Sequence, residues 1–191
     1  MHLDNHLLCA KAGGTLLERT RAFLQKPWCQ FELVDVTVAL REKTGTNLPH
    51  YWFYKMEFVL WHCLHKEKGP RWTGFRMTAR NSVEHVAPQT PLEQEESIPD
   101  DPLHSFGNLC LVSRSLNSEM GNSSFLLKKA KFLEKNGTSA SSLKMDLIYS
   151  QPTWTTTEIK WHQEEMESLL RTYIDRVGKK SAVFYSGNPP Y

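Results

Sequence analysis

The stretch from Ser82 to Thr90 contains the residue types that hydrolytic chemistry requires. Glu84 and His85 are adjacent, so an oxygen donor for a hard cation lies beside an imidazole that can accept a proton near neutral pH. A valine flanks the pair on each side and favours extended backbone, and Pro88 cannot continue a strand because it lacks a backbone N–H. The pattern predicts a metal ligand beside a general base at the end of a strand. Taken alone, an exposed Glu–His ion pair is the more common meaning.

Two asparagines follow at positions that suit the same chemistry. Asn108 precedes an apolar run of strand length, 109–113, and Asn117 follows that run. Hydrolysis of a phosphodiester needs one group that removes a proton from water and one cation that polarises the phosphate. Mg²⁺ prefers oxygen ligands and keeps several waters, so one carboxylate and one amide oxygen are enough protein ligands. The order of strand, loop, strand and asparagine is therefore compatible with a metal-dependent phosphodiesterase.

The composition indicates one domain of ordinary size or two small ones, with a packed core. The chain has 191 residues, of which 40% are hydrophobic, and its formal net charge of +2 does not by itself identify a nucleic-acid binder. The four cysteines lack the Cys-x-x-Cys spacing of a structural zinc site, so we expect reduced thiols. No secretory signal and no membrane-spanning stretch is found. We therefore expect a soluble, cytoplasmic protein.

Helical periodicity dominates the sequence around two short strands. Strands are expected over 80–86 and 109–113, paired across a proline-rich, acidic loop, 87–103. Asn117 and Gly121 interrupt the segment that follows the second strand. Helices are expected over 15–25, 27–43, 49–69, 125–135, 143–149 and 156–177, and the helix over 125–135 is expected to turn Leu126, Leu127, Ala130 and Leu133 toward the core. The expected fold class is α+β and mostly helical.

The central part of the chain resembles the HNH nuclease domain, also called the ββα-metal or His-Me finger domain, of GmrSD-type restriction enzymes, where it is C-terminal. A similar pattern occurs in the HNH domain of CRISPR effector nucleases. The resemblance covers roughly residues 75–175 and lies in Val83-Glu84-His85-Val86-Ala87-Pro88-Gln89, in His104-Ser105-Phe106-Gly107-Asn108-Leu109-Cys110-Leu111-Val112-Ser113, and in Asn117, Asn122-Ser123-Ser124-Phe125 and Lys128.

The resemblance implies an HNH core made of a β-hairpin and a helix, with an N-terminal helical array and C-terminal helices around it. We accordingly expect an N-terminal helical region over 1–72, a nuclease domain over 73–178 and a flexible tail over 179–191. One position departs from the family pattern. His162 stands three residues after Ile159, where the family usually has an arginine, so no role of that arginine is carried over.

The resemblance also implies a role for individual residues. His85 would be the general base, Glu84 and Asn117 would ligate a single Mg²⁺ or Mn²⁺ ion, and Asn108 would hold the loop or orient His85 as part of the catalytic group. Adjacent strand residues point to opposite faces, so Glu84 and His85 meet at one ion only if the backbone turns before Pro88. Contacts to nucleic acid are assigned to Lys128, Lys131 and Asn122, although a solvated helix face explains the lysines equally well.

The function implied by the resemblance is that of a metal-dependent DNA endonuclease or nickase that leaves 5′-phosphate and 3′-hydroxyl ends. The chain would be the nuclease half of an anti-phage restriction system, either part of a longer protein or encoded separately. Its partners would be DNA, including modified DNA, and a ParB-like nucleotide-hydrolysing half. The alternative is a non-catalytic module, which binds DNA or docks to a partner and keeps a degenerate HNH site.

Overall fold

The computed structural model describes residues 17–18, 21, 35–42, 44–91 and 97–185, with side chains up to residue 176. The chain divides into two compact units, of which Leu40–Leu169 is one, and Met1–Ala39 with Leu170–Tyr191 is the other. In the second of these, Arg171 Nη2 donates a hydrogen bond of 2.7 Å to Thr37 Oγ1. Most residues of the helices predicted over 15–25 and 27–43 lie outside the described residues.

The described part of the chain is mostly helical and contains one small antiparallel sheet, so the α+β class is confirmed. Three short helices, α3, α4 and α5, were not predicted. The elements in chain order are α1 (Val36–Arg41), a 3₁₀ turn (Gly45–Asn47), α2 (His50–Leu64), α3 (Pro70–Thr73), β1 (Ser82–His85), α4 (Asp100–Leu103), a 3₁₀ turn (Phe106–Asn108), β2 (Leu109–Val112), α5 (Arg114–Met120), α6 (Phe125–Lys135), α7 (Leu143–Ser150) and α8 (Thr156–Tyr185).

The two strands pair across the long loop, as the sequence predicts. Ser82 lies opposite Val112 and His85 lies opposite Leu109 in an antiparallel ladder. The pairing continues for one residue past β1, because Val86 N donates to Asn108 O at 3.0 Å. The loop between the strands ends in helix α4, and residues 92–96 within it lie outside the description.

Helix α5 forms where the sequence suggested an interruption. Ser113 is its N-cap, and the Ser113 hydroxyl accepts a hydrogen bond from Leu116 N at 3.2 Å. Such a cap stabilises a helix start by about 1 kcal/mol. Asn117 therefore lies within the helix, and Gly121, with a φ of 47°, ends it.

Helix α6 has the predicted bounds, but its inward face is not the predicted one. Leu126, Leu127 and Leu133 are 66%, 50% and 41% exposed. Phe132 and Lys128 are buried instead, with the Phe132 ring centroid 5.1 Å from that of Tyr149. The prediction failed because leucines were taken as the apolar stripe, whereas the phenylalanine and a paired lysine form the face that packs.

The early helices pack against the later part of the unit Leu40–Leu169. Trp72 Nε1 donates to Asp146 Oδ2 at 2.7 Å, and the rings of Phe53 and Phe106 lie 5.2 Å apart. The described residues on both sides of position 72 thus share one unit. A buried apolar cluster fills its interior and comprises Val86, Ala87, Leu103, Cys110, Val112, Met120, Phe132, Met145, Ile148, Tyr149, Trp154 and Ile159.

The last helix begins at the predicted threonine cap. Glu158 Oε2 accepts hydrogen bonds from Thr155 N at 2.7 Å and from Thr155 Oγ1 at 2.6 Å. The helical backbone continues to Tyr185, so residues 179–185 of the predicted tail are helical, and 186–191 lie outside the described residues. Among the helices of the described ranges, none combines the length and apolar character that a bilayer crossing requires.

Gly107 lies where the surrounding residues leave no room for a side chain. A Cβ atom at this residue would overlap the carbonyl oxygen of Ile159 and lie 3.0 Å from Gln163 Cβ. We therefore expect Gly107→Ala to lower the free energy of unfolding by about 1–3 kcal/mol, as overpacking does, in a denaturant titration. Gly137→Ala is the matched control, because nothing lies within 4 Å of its added Cβ. Equal stability of the two variants would contradict the prediction.

Candidate active site

Glu84 lies near the end of β1 and is held by a buried lysine. Its side chain pairs with Lys128, whose Nζ is 2.6 Å from Glu84 Oε1, and the two residues are 4% and 1% exposed. The same ammonium donates to the carbonyl oxygen of His85 at 2.6 Å. Burial raises the pKa of Glu84, and the charge and hydrogen bond of Lys128 oppose that rise. The lysine expected to contact nucleic acid thus faces inward, because a buried carboxylate needs a counter-ion.

His85 contacts a different partner from Glu84. The ladder is regular through both residues, so their side chains leave opposite faces of β1, and the turn that would bring both to one ion does not occur within the strand. His85 Nε2 lies 3.0 Å from His104 Nδ1, within hydrogen-bond distance. Burial, then the charges of His104 and Lys128, lower the pKa of His85 to about 4. The imidazole is therefore neutral at pH 7, the form that can accept a proton.

His104 is a residue of this site to which the sequence resemblance assigned no role. It follows helix α4, and its carbonyl oxygen accepts a hydrogen bond from Gly45 N at 2.8 Å. Gly45 has a φ of 59°, and a Cβ there would lie 3.3 Å from His104 Nδ1, so the backbone packs closely behind the ring. His104 opens the segment that also contains Asn108. Its place in that segment is the sequence signal that could have identified His104.

Asn108 is fully buried and fastens the loop after β1. Its Oδ1 accepts hydrogen bonds from Ala87 N at 2.8 Å and from Trp154 Nε1 at 2.9 Å. Its Nδ2 donates to Ala87 O at 3.2 Å and to Leu103 O at 2.9 Å. The side-chain amide thus bonds to the main chain and to an indole rather than to the imidazole of His85. It fixes the backbone that follows the candidate base.

Asn117 lies beside the face of β1 that carries Glu84. Its Nδ2 donates to Ser82 Oγ at 2.7 Å, and Ser82 and Glu84 are two residues apart on one strand, so they share a face. Hard cations such as Mg²⁺ bind oxygen donors such as the Glu84 carboxylate and the side-chain amide oxygen of Asn117. Glu84 Oε1 is buried and is held by the ion pair to Lys128. The donor chemistry therefore fits a divalent ion, with the Lys128 ammonium as a competing positive charge.

The remaining predicted contact residues lie around the turn that joins α5 and α6. Lys131 Nζ donates to Glu119 O at 2.6 Å and to Ser123 Oγ at 3.2 Å, and Asn122 is exposed. Within the described ranges, no group of three or more His, Cys, Asp or Glu side chains is arranged to hold a metal ion. A site made of one carboxylate and one amide oxygen contains only one side chain of these four types, so it would not form a group of this kind.

His162 replaces the arginine that the family pattern predicts, and it is buried. Its ring lies 5.6 Å from that of Trp154, and its Nδ1 is 3.7 Å from Glu165 Oε2. Its Nε2 is buried without a hydrogen-bond partner among the described residues. Burial, followed by the charge of Lys144, lowers the pKa of His162 to about 4, and Glu165 opposes the shift.

His162 should make the stability of the protein depend on pH. An unfolded histidine binds its proton near pH 6.5, whereas His162 in the fold does so only near pH 4. Protons therefore favour the unfolded state between these values, and stability falls as the pH falls, by up to roughly 3 kcal/mol. We expect His162→Phe to flatten this decrease in denaturant titrations from pH 7 to pH 4. His50→Phe changes an exposed histidine and should leave it unchanged. The same decrease in both variants would contradict the prediction.

Comparison with known proteins agrees with the resemblance drawn from the sequence. Residues 35–169 match the family model described as GmrSD restriction endonucleases, C-terminal domain. No curated protein and no solved structure matches the chain. The matched segment contains β1, β2, α5 and α6, and with them Glu84, His85, Asn108 and Asn117. Because the match covers more than half of the sequence, the chain belongs to the family of GmrSD restriction endonuclease C-terminal domains.

Proposed function

We propose that the chain is a metal-dependent DNA endonuclease or nickase that hydrolyses phosphodiester bonds at an HNH site. Family membership indicates a restriction nuclease and DNA as its substrate. The finer proposal is a ββα-metal core in which β1, β2 and the helix after them carry the site. A single Mg²⁺ or Mn²⁺ ion, a ParB-like nucleotide-hydrolysing partner and an anti-phage role on modified DNA belong to the same proposal.

The observation that carries the proposal is the contact of His85 with His104, whose ring nitrogens lie 3.0 Å apart. The residue that the resemblance assigns as the base is a neutral imidazole held by a hydrogen bond to His104. No described residue forms a hydrogen bond with its Nδ1, so that nitrogen is left for a water molecule. For Nδ1 to accept a proton, Nε2 must carry the hydrogen and donate to His104 Nδ1, which fixes the tautomers of both rings.

The other assigned residues have complementary tasks. Glu84 and Asn117 would hold the ion, and Lys128 opposes the rise in the pKa of Glu84 that burial causes, which favours the carboxylate form that binds a cation. A bound divalent ion supplies polarisation of the phosphate and stabilisation of the departing oxygen. Asn108 holds the backbone at Ala87 and so limits movement of the strand end that carries the base.

A non-catalytic module with a degenerate HNH site is the alternative function. The observation that favours it is the burial of Glu84, which is 4% exposed and already paired with Lys128. A carboxylate in this state would have to exchange or share its lysine to bind an ion. The alternative predicts binding of DNA or of a partner without any cleavage.

The central test is nicking of supercoiled plasmid in Mg²⁺ or Mn²⁺. We expect His85→Ala to reduce the rate by about 10²–10⁴-fold, because a positioned general base contributes that much. His50→Ala removes an exposed histidine of α2 and should nick at the wild-type rate. Nicking that survives His85→Ala would refute the assignment of the base. A wild-type protein that binds DNA and cuts nothing with either ion would favour the alternative.

His104 should affect turnover rather than substrate affinity. We expect His104→Phe to lower kcat by about 10–100-fold with little change in KM, since partners that orient a reacting group have effects of this size. His104→Asn, whose amide can still form a hydrogen bond, should recover part of the rate. An unchanged kcat in His104→Phe would show that the contact to His85 is only structural. Steady-state nicking assays at several substrate concentrations separate the two parameters.

A further inference from the structure

A cavity of about 290 Å³ lies at the start of the strand that carries the proposed site. Its wall is formed by the segment before β1, the end of β2, the start of α5 and the end of α6. Arg80 and Lys135 line it, together with serine and threonine residues, and none of the described residues in its wall is an aspartate or a glutamate. The volume equals that of roughly ten water molecules, enough for a phosphate group and its hydration.

Arg80 is buried with an unused donor. Its side chain is 8% exposed, and its backbone is fixed because Tyr54 Oη accepts from Arg80 N at 2.7 Å and donates to Arg80 O at 2.8 Å. Its Nη1 donates to Leu111 O at 3.4 Å, whereas Nη2 is buried and has no hydrogen-bond partner among the described residues. Arg80 thus brings a buried positive charge to the wall of the cavity through the part of its side chain that lines it.

Two carboxylates close to these cations already have other partners or are exposed to solvent. Glu57 Oε1 is 3.7 Å from Arg80 Nη1, and the Glu57 oxygens accept hydrogen bonds from Ser142 Oγ and from Leu143 N. Glu119 pairs with Lys135, but both side chains of that pair are substantially exposed. An exposed ion pair contributes little stability and can exchange for an anionic ligand.

The hydroxyl groups of the cavity wall can also donate hydrogen bonds to an anion. The hydroxyls of Thr78 and Ser141 make no hydrogen bond to any other described residue, and Ser115 Oγ lies 3.0 Å from Ser113 Oγ. Proteins recognise phosphate with cationic side chains and hydroxyl donors. The described residues of this wall supply both and include no acid.

We propose that this cavity is a phosphate subsite that holds a backbone phosphodiester of the DNA bound at the candidate active site. The inference rests on the proposed function and extends it. Arg80 precedes Glu84 by four residues, and the ladder reaches back to Asn81, whose N–H donates to Val112 O at 3.3 Å. At about 3.3 Å per residue, the cavity lies on the order of 13 Å from Glu84 along the strand. It would therefore hold a phosphate that flanks the scissile one and fix the register of the substrate.

The salt dependence of DNA binding tests the subsite. Affinity for a short duplex is measured by fluorescence anisotropy in EDTA, so that no cleavage occurs, from about 50 to 200 mM salt. Each lost phosphate contact reduces the slope of log K against log salt concentration by about 0.9. We expect this reduction, with about tenfold weaker binding, in Lys135→Gln and in Arg80→Gln. Lys66→Gln removes one exposed charge at a distant turn and should keep the wild-type slope.

A second measurement uses the wild-type protein, because Arg80→Gln removes the partner of a buried glutamate and can impair folding. Dimethyl phosphate, a phosphodiester without a base, is titrated during recording of backbone amide NMR shifts, with inorganic phosphate in a parallel series. We expect saturable shifts at Ser115, Leu116, Ser141 and Ser142 with the diester. Shifts with inorganic phosphate alone would make the cavity a site for free phosphate and overturn the proposal.

The subsite and the nuclease assignment fail in different ways. An unchanged slope in Lys135→Gln, together with no diester shifts at the cavity, overturns the subsite even if the protein nicks plasmid. A protein that does not nick plasmid, but shows the altered slope and the diester shifts, binds DNA through this cavity without the proposed catalysis. Absence of both duplex binding and diester shifts also overturns the subsite.

Discussion

A single buried ammonium, that of Lys128, determines how strand β1 and helix α6 meet. It lies 2.6 Å from Glu84 Oε1 and donates to the carbonyl oxygen of His85, so one side chain contacts both residues of the Glu–His pair. Helix α6 must therefore turn this lysine inward, and Phe132, four residues later on the same face, enters the core with it. The exposed leucines of α6 follow from this constraint, because the opposite face is the one left to solvent.

A second buried lysine supports the neighbouring turn in a similar way. Lys144 Nζ donates to Phe106 O at 2.8 Å and to Leu109 O at 2.7 Å, and it lies 4.8 Å from the centroid of the Phe106 ring. Burial lowers the pKa of Lys144, and nearby Cys110 and Glu57 oppose this shift. With Asn108 fixed to Ala87, these interior polar bonds hold both strand ends in place. Such rigid support would keep the base and the ion of the proposed site at a fixed separation.

The sequence predicted the elements whose signals are local and missed those that depend on distant partners. Strand β2, helix α6 and the threonine cap of α8 could be located from apolar runs, periodicity and capping residues. The inward face of α6 could not, since it depends on the ion pair between Lys128 and Glu84, 44 positions apart in the chain. His104 was missed for the same reason: only the folding of the loop brings its ring to His85, and no spacing rule predicts that contact.

The regular alternation of β1 separates the two halves of the proposed chemistry. Glu84 and Asn117 lie on the side of Ser82, whereas His85 leaves the other face and meets His104. The base is thus oriented by a second imidazole rather than by a carboxylate, and it lies on the face of the strand opposite to Glu84. With Lys128 beside the strand as a further positive charge, protonated His85 is disfavoured. The strand therefore places the carboxylate and the imidazole on opposite faces, in different surroundings, although the two residues are adjacent in the chain.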